Sequence, residues 1–182
     1  NVDYMVSLGE FLRQDEKIEE AITVLSTATR LNPENADAWT NLGVVYQSVN
    51  KADDARIAYE RALAINPESS SVLSNLGAMA KEVGDWDSAL KYFERAVGLN
   101  ADLEEIHNNL GITLKELGKL EDAETSFRQA ILLRSDFSEA HSNLGTVLLR
   151  QGRHREGLDE LALGSGVINI DLKNGLSLQW AT

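Results

Sequence analysis

The chain has 182 residues, 43% of them hydrophobic and 25% charged, with a formal net charge of −12. That balance suits a folded chain with one sizeable core or several stacked small units, not a disordered one, and the acidity disfavours phosphate backbones and anionic lipid surfaces as partners. There is no cysteine, which excludes disulfides, thiolate metal sites and thiol nucleophiles. No apolar run is long enough to span a bilayer, and the first ten residues lack the basic and apolar regions of a signal peptide. These features leave the compartment open, with the cytoplasm favoured, and a start at Asn1 rather than Met is what a fragment or processed chain would show.

In chain order, one pattern returns. Leu8-Gly9, Leu42-Gly43, Leu76-Gly77, Leu110-Gly111 and Leu144-Gly145 fall at a single fixed interval. Ala21, Ala55, Ala89 and Ala123 keep step, with Gly157 in the fifth place. Leu25, Tyr59, Phe93, Phe127 and Leu161 follow, then Ala28, Ala62, Ala96, Ala130 and Gly164. Within each unit the apolar residues recur at helical spacing, as in Leu42, Val45, Tyr46 and Val49. A break at Asn50, Gly84, Gly118 and Gly152 uses residues that tolerate the left-handed conformation ending a helix. A second amphipathic stretch then begins, acidic at its start to suit the helix dipole. The spacing predicts pairs of antiparallel helices that stack to bury their apolar faces. The first unit diverges at its break, where Glu16 stands. The fifth has a degenerate second helix, with Gly157 and Gly164 in place of Ala.

These residues resemble the tetratricopeptide repeat family, most clearly through Trp39, Leu42, Gly43, Tyr46, Ala55, Tyr59, Ala62 and Pro67. The resemblance spans residues 2 to 166 and implies an all-α, right-handed solenoid of five repeats. They run over 2–35, 36–69, 70–103, 104–137 and 138–166, with a concave face lined by the first helix of each pair. The repeats look similar to those of O-linked N-acetylglucosamine transferases.

Before the Leu-Gly pair stand Asn41, Asn75, Asn109 and Asn143, with Ser7 in the first unit. One residue is about 100° of helix, so the amide is turned from the packed face towards the groove. Each amide offers a donor and an acceptor, which matches the backbone of an extended peptide. Two roles stand open for this row: a peptide-binding ladder, or hydrogen bonds to the neighbouring repeat. Asn108 sits in the slot before the third rung. Gln47, Lys81 and Lys115 lie farther along the expected groove, with Arg150 continuing the line. A mildly amphipathic ligand with an acidic residue near the lysines is expected. The slots ahead of the Asn row (Thr40, Ser74, Asn108, Ser142) are not basic, which disfavours a dicarboxylate clamp.

No residue set suggests catalysis. There is no phosphate-binding loop, dinucleotide motif or nucleophile elbow, no metal site and no cofactor site. His107 and His141 share a slot with Met5, Trp39 and Leu73, which is a packing slot. Arg153, His154 and Arg155 form a small basic cluster expected to be solvated. After Gly166 the period changes to two, and Asn174-Gly175 signals a turn. A β-hairpin over 167–182 is expected there as a cap, an oligomer contact or the start of a further domain. The function expected is an interaction scaffold for a protein or peptide partner in extended conformation, with neither nucleic acid nor membrane. The alternatives are the substrate-recruiting arm of a larger enzyme, such as a glycosyltransferase, and a scaffold that self-assembles through the hairpin or the solenoid ends.

Overall fold

The computed structural model describes residues 1–165, 168–171 and 175–178. Ten helices occur among them, divided between two compact units, Asn1–Glu82 and Val83 onward. Unit 1 holds α1 (Val2–Gln14), α2 (Ile18–Leu31), α3 (Ala36–Ser48), α4 (Ala52–Ile65) and α5 (Ser70–Glu82). Unit 2 holds α6 (Trp86–Leu99), α7 (Glu104–Glu116), α8 (Leu120–Leu133), α9 (Ser138–Arg150) and α10 (His154–Ser165).

The helix ends are set by local chemistry. Asn35 Oδ1 accepts the backbone N–H of Ala38 at 2.8 Å and caps α3, and Asp85 Oδ1 accepts that of Ser88 at 3.1 Å and caps α6. α2, α4 and α8 begin at Lys17, Lys51 and Lys119, with no side-chain cap, and place two acidic residues each in the first turn, where the dipole favours them. The breaks after the odd-numbered helices share one left-handed residue: Glu16 at φ 59°, Asn50 at 58°, Gly84 at 76°, Gly118 at 77° and Gly152 at 81°. At Glu16 the turn closes by N–H bonds from Glu16 to the Arg13 carbonyl (3.2 Å) and from Lys17 to the Leu12 carbonyl (2.8 Å). This is the paired pattern that a left-handed C′ residue permits. The same pair recurs at Asn50 and Lys51, at Gly118 and Lys119, and at Gly152 and Arg153. At its break the first repeat therefore makes the same backbone turn as the others, although Glu16 stands there in place of Gly.

Packing follows the repeated small and large slots. In unit 1, Leu12, Ala21, Leu25, Leu42, Val45 and Ala58 form one buried cluster. Tyr59 and Phe127 are fully buried, each worth about 1.5–3 kcal/mol of apolar burial. The glycine of the Leu-Gly pair makes room for the large residue of the partner helix. A Cβ at Gly43 would lie 2.6 Å from the Tyr59 ring, and one at Gly111 2.6 Å from the Phe127 ring. Between α9 and α10 the approach is closer still. A Cβ at Gly157 would lie 2.9 Å from the Gly145 carbonyl, and one at Gly164 2.6 Å from the Ser142 nitrogen. The two glycines that looked degenerate in the sequence are required by backbone-to-backbone contact.

The fold class needs a correction. The β-hairpin expected over 167–182 is withdrawn as an element of the fold, which is all-helical. Beyond α10 the described residues hold two four-residue extended stretches, Ile168–Asp171 and Gly175–Leu178, paired antiparallel with Ile168 beside Leu178. Among the described residues they pair with each other alone, and an isolated ladder of two short strands is marginal in water. Period-two alternation was therefore too weak a signal to define a β layer. The expected turn residue Asn174 and the apolar Leu172 and Trp180 lie outside the described residues.

Candidate functional site

The odd-numbered helices carry the asparagine row. Asn41 on α3 and Asn75 on α5 are half-buried in unit 1, each one residue before a buried Leu-Gly pair. In unit 2, Asn109 on α7 and Asn143 on α9 hold the same position and the same partial burial. Locally, the placement follows from the packing: Gly111 must face Phe127, so the preceding side chain is rotated to the flank of the helix.

Three of the sequence-predicted residues meet across α7 and α9. Asn143 Nδ2 donates to Asn108 Oδ1 at 3.3 Å, and Lys115 Nζ donates to Asn143 Oδ1 at 3.5 Å. Asn108 is only 3% exposed, so its oxygen depends on that donor. Lys115 also lies 3.6 Å from Glu116 Oε1, and Arg150 donates from Nη1 to the Lys115 carbonyl at 3.5 Å. At Asn143, one member of the asparagine row, the amide hydrogen-bonds residues of the neighbouring helix pair.

Gln47 is placed differently. Its Oε1 accepts the Tyr59 hydroxyl at 3.0 Å, which ties it to the α3–α4 packing. Burial pushes the Tyr59 hydroxyl up to about 12, so it stays a neutral donor. Lys81 is half-buried on α5.

Two features were missed by sequence reasoning. The slot shared by Trp39, His107 and His141 returns a ring nitrogen to the carbonyl six residues earlier. Trp39 Nε1 donates to Pro33 at 2.9 Å, His107 Nε2 to Ala101 at 2.9 Å and His141 Nε2 to Ser135 at 3.0 Å. These bonds fasten the start of a helix to the turn before it. The recurrence of ring nitrogens in one slot was the available signal. His141 Nδ1 also lies 2.6 Å from Glu160 Oε2 on α10. The second feature is Arg153, expected to be solvated, which binds Glu124 of α8 through Nη1 at 2.7 and 2.8 Å and Glu156 of α10. Burial works to raise the Glu124 carboxyl, but the hydrogen bonds from Arg153 and Arg128 outweigh it and hold the group below its usual range.

Among the described residues no three His, Cys, Asp or Glu side chains gather where a metal ion would sit. No described helix is long and apolar enough to cross a membrane.

Family models described as tetratricopeptide repeat match residues 34–102 and 68–136, and again 138–162, and a TPR repeat model matches 9–50. The chain belongs to the tetratricopeptide repeat family. No curated protein matches it. Among solved structures, MamA is similar with a TM-score of 0.80 at 18% identity, over 91% of this chain and 90% of its own. YrrB, described as "a TPR protein with an unusual peptide-binding site", gives 0.79 at 22% identity over 91% and 86%. The pilF protein of Pseudomonas aeruginosa gives 0.78 at 24% identity over 91% and 77%. These likenesses show the fold alone, and the narrower resemblance to O-linked N-acetylglucosamine transferase repeats is not among what they show.

Proposed function

We propose that this chain is a protein-interaction module that holds an extended peptide segment, with the asparagine amides hydrogen-bonding the peptide backbone. The observation that carries this is the linked set on α7 and α9. Asn143 is fixed by Asn108 and Lys115, yet an amide with one bond given and one accepted retains a second N–H and a second lone pair. An amide so oriented meets a peptide group without first losing rotamer freedom, which lowers the cost of binding. Asn109 follows Asn108 on α7, and Asn41 and Asn75 supply the same chemistry in unit 1. The cations Lys115 and Arg150 favour an acidic residue in the ligand. Gln47, held by Tyr59, acts through the position of α3 and not by direct reach. The peptide-binding site of YrrB, a protein of the same fold, supports the class of ligand.

The test is selection of peptides from a phage-displayed random library on the whole chain, followed by calorimetric titration of the selected peptides. Replacing Asn109 and Asn143 by Ala, with circular dichroism to confirm folding, is expected to weaken binding about tenfold or more, or about 1.4 kcal/mol. Unchanged affinity in the folded variant would remove the asparagines from the binding face.

A further inference from the structure

His141 is buried near the start of α9, and an acceptor stands at each of its ring nitrogens. Nε2 lies 3.0 Å from the Ser135 carbonyl oxygen, and Nδ1 lies 2.6 Å from Glu160 Oε2 on α10. A neutral imidazole carries one N–H and one lone pair. In that form one nitrogen turns its lone pair on an oxygen that has only lone pairs to offer, whichever tautomer is present. While Glu160 is a carboxylate, both bonds are made together only when the ring holds two protons. The cation then faces an anion in a shielded place, where such a bond is strong.

His107 shows what the same slot does without a carboxylate. Its Nε2 bonds the Ala101 carbonyl at 2.9 Å. The position corresponding to Glu160, one repeat earlier, is Ser126, whose hydroxyl donates to the Asp122 carbonyl at 3.0 Å. A neutral ring satisfies that arrangement.

The other charged groups on the helices packed against α9 are engaged elsewhere or face water. Arg134, at the end of α8, pairs with Glu104 of α7 at 3.1 Å, and Glu124 of α8 holds Arg128 and Arg153. Lys115 of α7 lies on Asn143 and Glu116. Asp159 and Arg155 of α10 and Glu139 of α9 itself are exposed. Among the described residues, Glu160 is the charged group at bonding distance from the His141 ring.

We propose that the His141–Glu160 pair is a proton-dependent latch on α10, closed while the imidazole holds two protons and loosened when it gives one up. Histidine is the side chain that changes charge near neutral pH. The sign follows from the bonds: the closed latch needs the bound proton, so α10 is held more tightly on the acid side, and its local opening grows as pH rises. α10 is suited to such control because Gly157 and Gly164 weaken it as a helix in its own right. Its hold on α9 therefore rests on tertiary contacts. Opening bares the α9 surface at Gly145 and Leu149, which Leu161 and Gly157 now cover.

The test uses the whole chain and two readouts. Nitrogen–proton spectra of the histidine rings, recorded at about pH 7, are expected to show protons on both nitrogens of His141 and on one nitrogen of His107. Amide exchange of α10, corrected for the intrinsic pH dependence of exchange, is expected to show local opening about tenfold greater at about pH 8.5 than at about pH 6. In Glu160→Gln the side-chain amide can accept from or donate to a neutral ring, and that difference is expected to vanish. His107→Gln is expected to leave it in place. A bare ring nitrogen on His141 at about pH 7 overturns the proposal, and that reading needs no variant. So does corrected opening of α10 that is equal at both pH values, or a difference that survives Glu160→Gln.

Discussion

Asn143 donates from Nδ2 to the Oδ1 of Asn108, a residue on a different helix and 35 positions earlier, at 3.3 Å. The bond gives the recurring asparagine a structural task and fixes the amide proposed to bind a ligand. Asn143→Ala removes the donor and leaves the buried Asn108 oxygen unpaired, at a cost of about 1–3 kcal/mol. A lower urea midpoint with an unchanged slope is the expected result.

Glycines in helices divide by what a methyl group would meet. Gly111→Ala drives a Cβ to within 2.6 Å of the Phe127 ring and is expected to destabilise by about 1–3 kcal/mol. Gly98, near the end of α6, has nothing within 4 Å. Gly98→Ala is expected to stabilise by about 0.5–1 kcal/mol. Thermal melts of both variants check the opposite signs.

Glu16 adopts φ 59° without the freedom that Gly118 and Gly152 bring to the same turn. Left-handed backbone costs a side-chain-bearing residue about 1–2 kcal/mol. Part of that returns as unfolded-state entropy in a Glu16→Gly chain, and the net expectation is a gain of up to about 1 kcal/mol by chemical denaturation.

Glu124 links stability to pH. Its folded carboxyl sits below the ordinary value of 4.5, despite a desolvation that acts to raise it, because Arg153 and Arg128 hydrogen-bond the charged form. A depressed carboxylate contributes stability that is complete above the unfolded value and is lost as pH falls through the folded one. The contribution is therefore present above about pH 4.5 and lost below it. Glu124→Gln is expected to flatten the acid limb of the stability profile, measured by denaturant midpoints across that range.

The fold was legible because its signals are local and repeated. Alternating Gly and large apolar slots mark close helix pairs, and the left-handed breaks at Asn50, Gly84, Gly118 and Gly152 match residues that favour them. Glu16 looked divergent because sequence registers the residue type and not the turn that surrounding hydrogen bonds impose on it. Gly157 and Gly164 looked degenerate because the α9–α10 backbone distance is a tertiary quantity. The asparagine slot was visible, but its use of Asn108 and Lys115 depends on the spacing of α7 and α9. Gln47 could not be assigned to Tyr59 without knowing how its helix turns. Arg153 seemed solvated because Glu124 is 29 residues away in the chain.

The central claim is tested most directly by the asparagine side chains themselves. Nitrogen–proton correlation spectra of the labelled chain resolve their NH2 groups, assigned by single Asn→Ala substitutions, and a peptide selected from a random library is titrated in. Shifts at the Asn109 and Asn143 side-chain amides that saturate together with the backbone of α7 and α9 are the expected result. Shifts confined to α8 and α10, with those amides unmoved, would contradict the account.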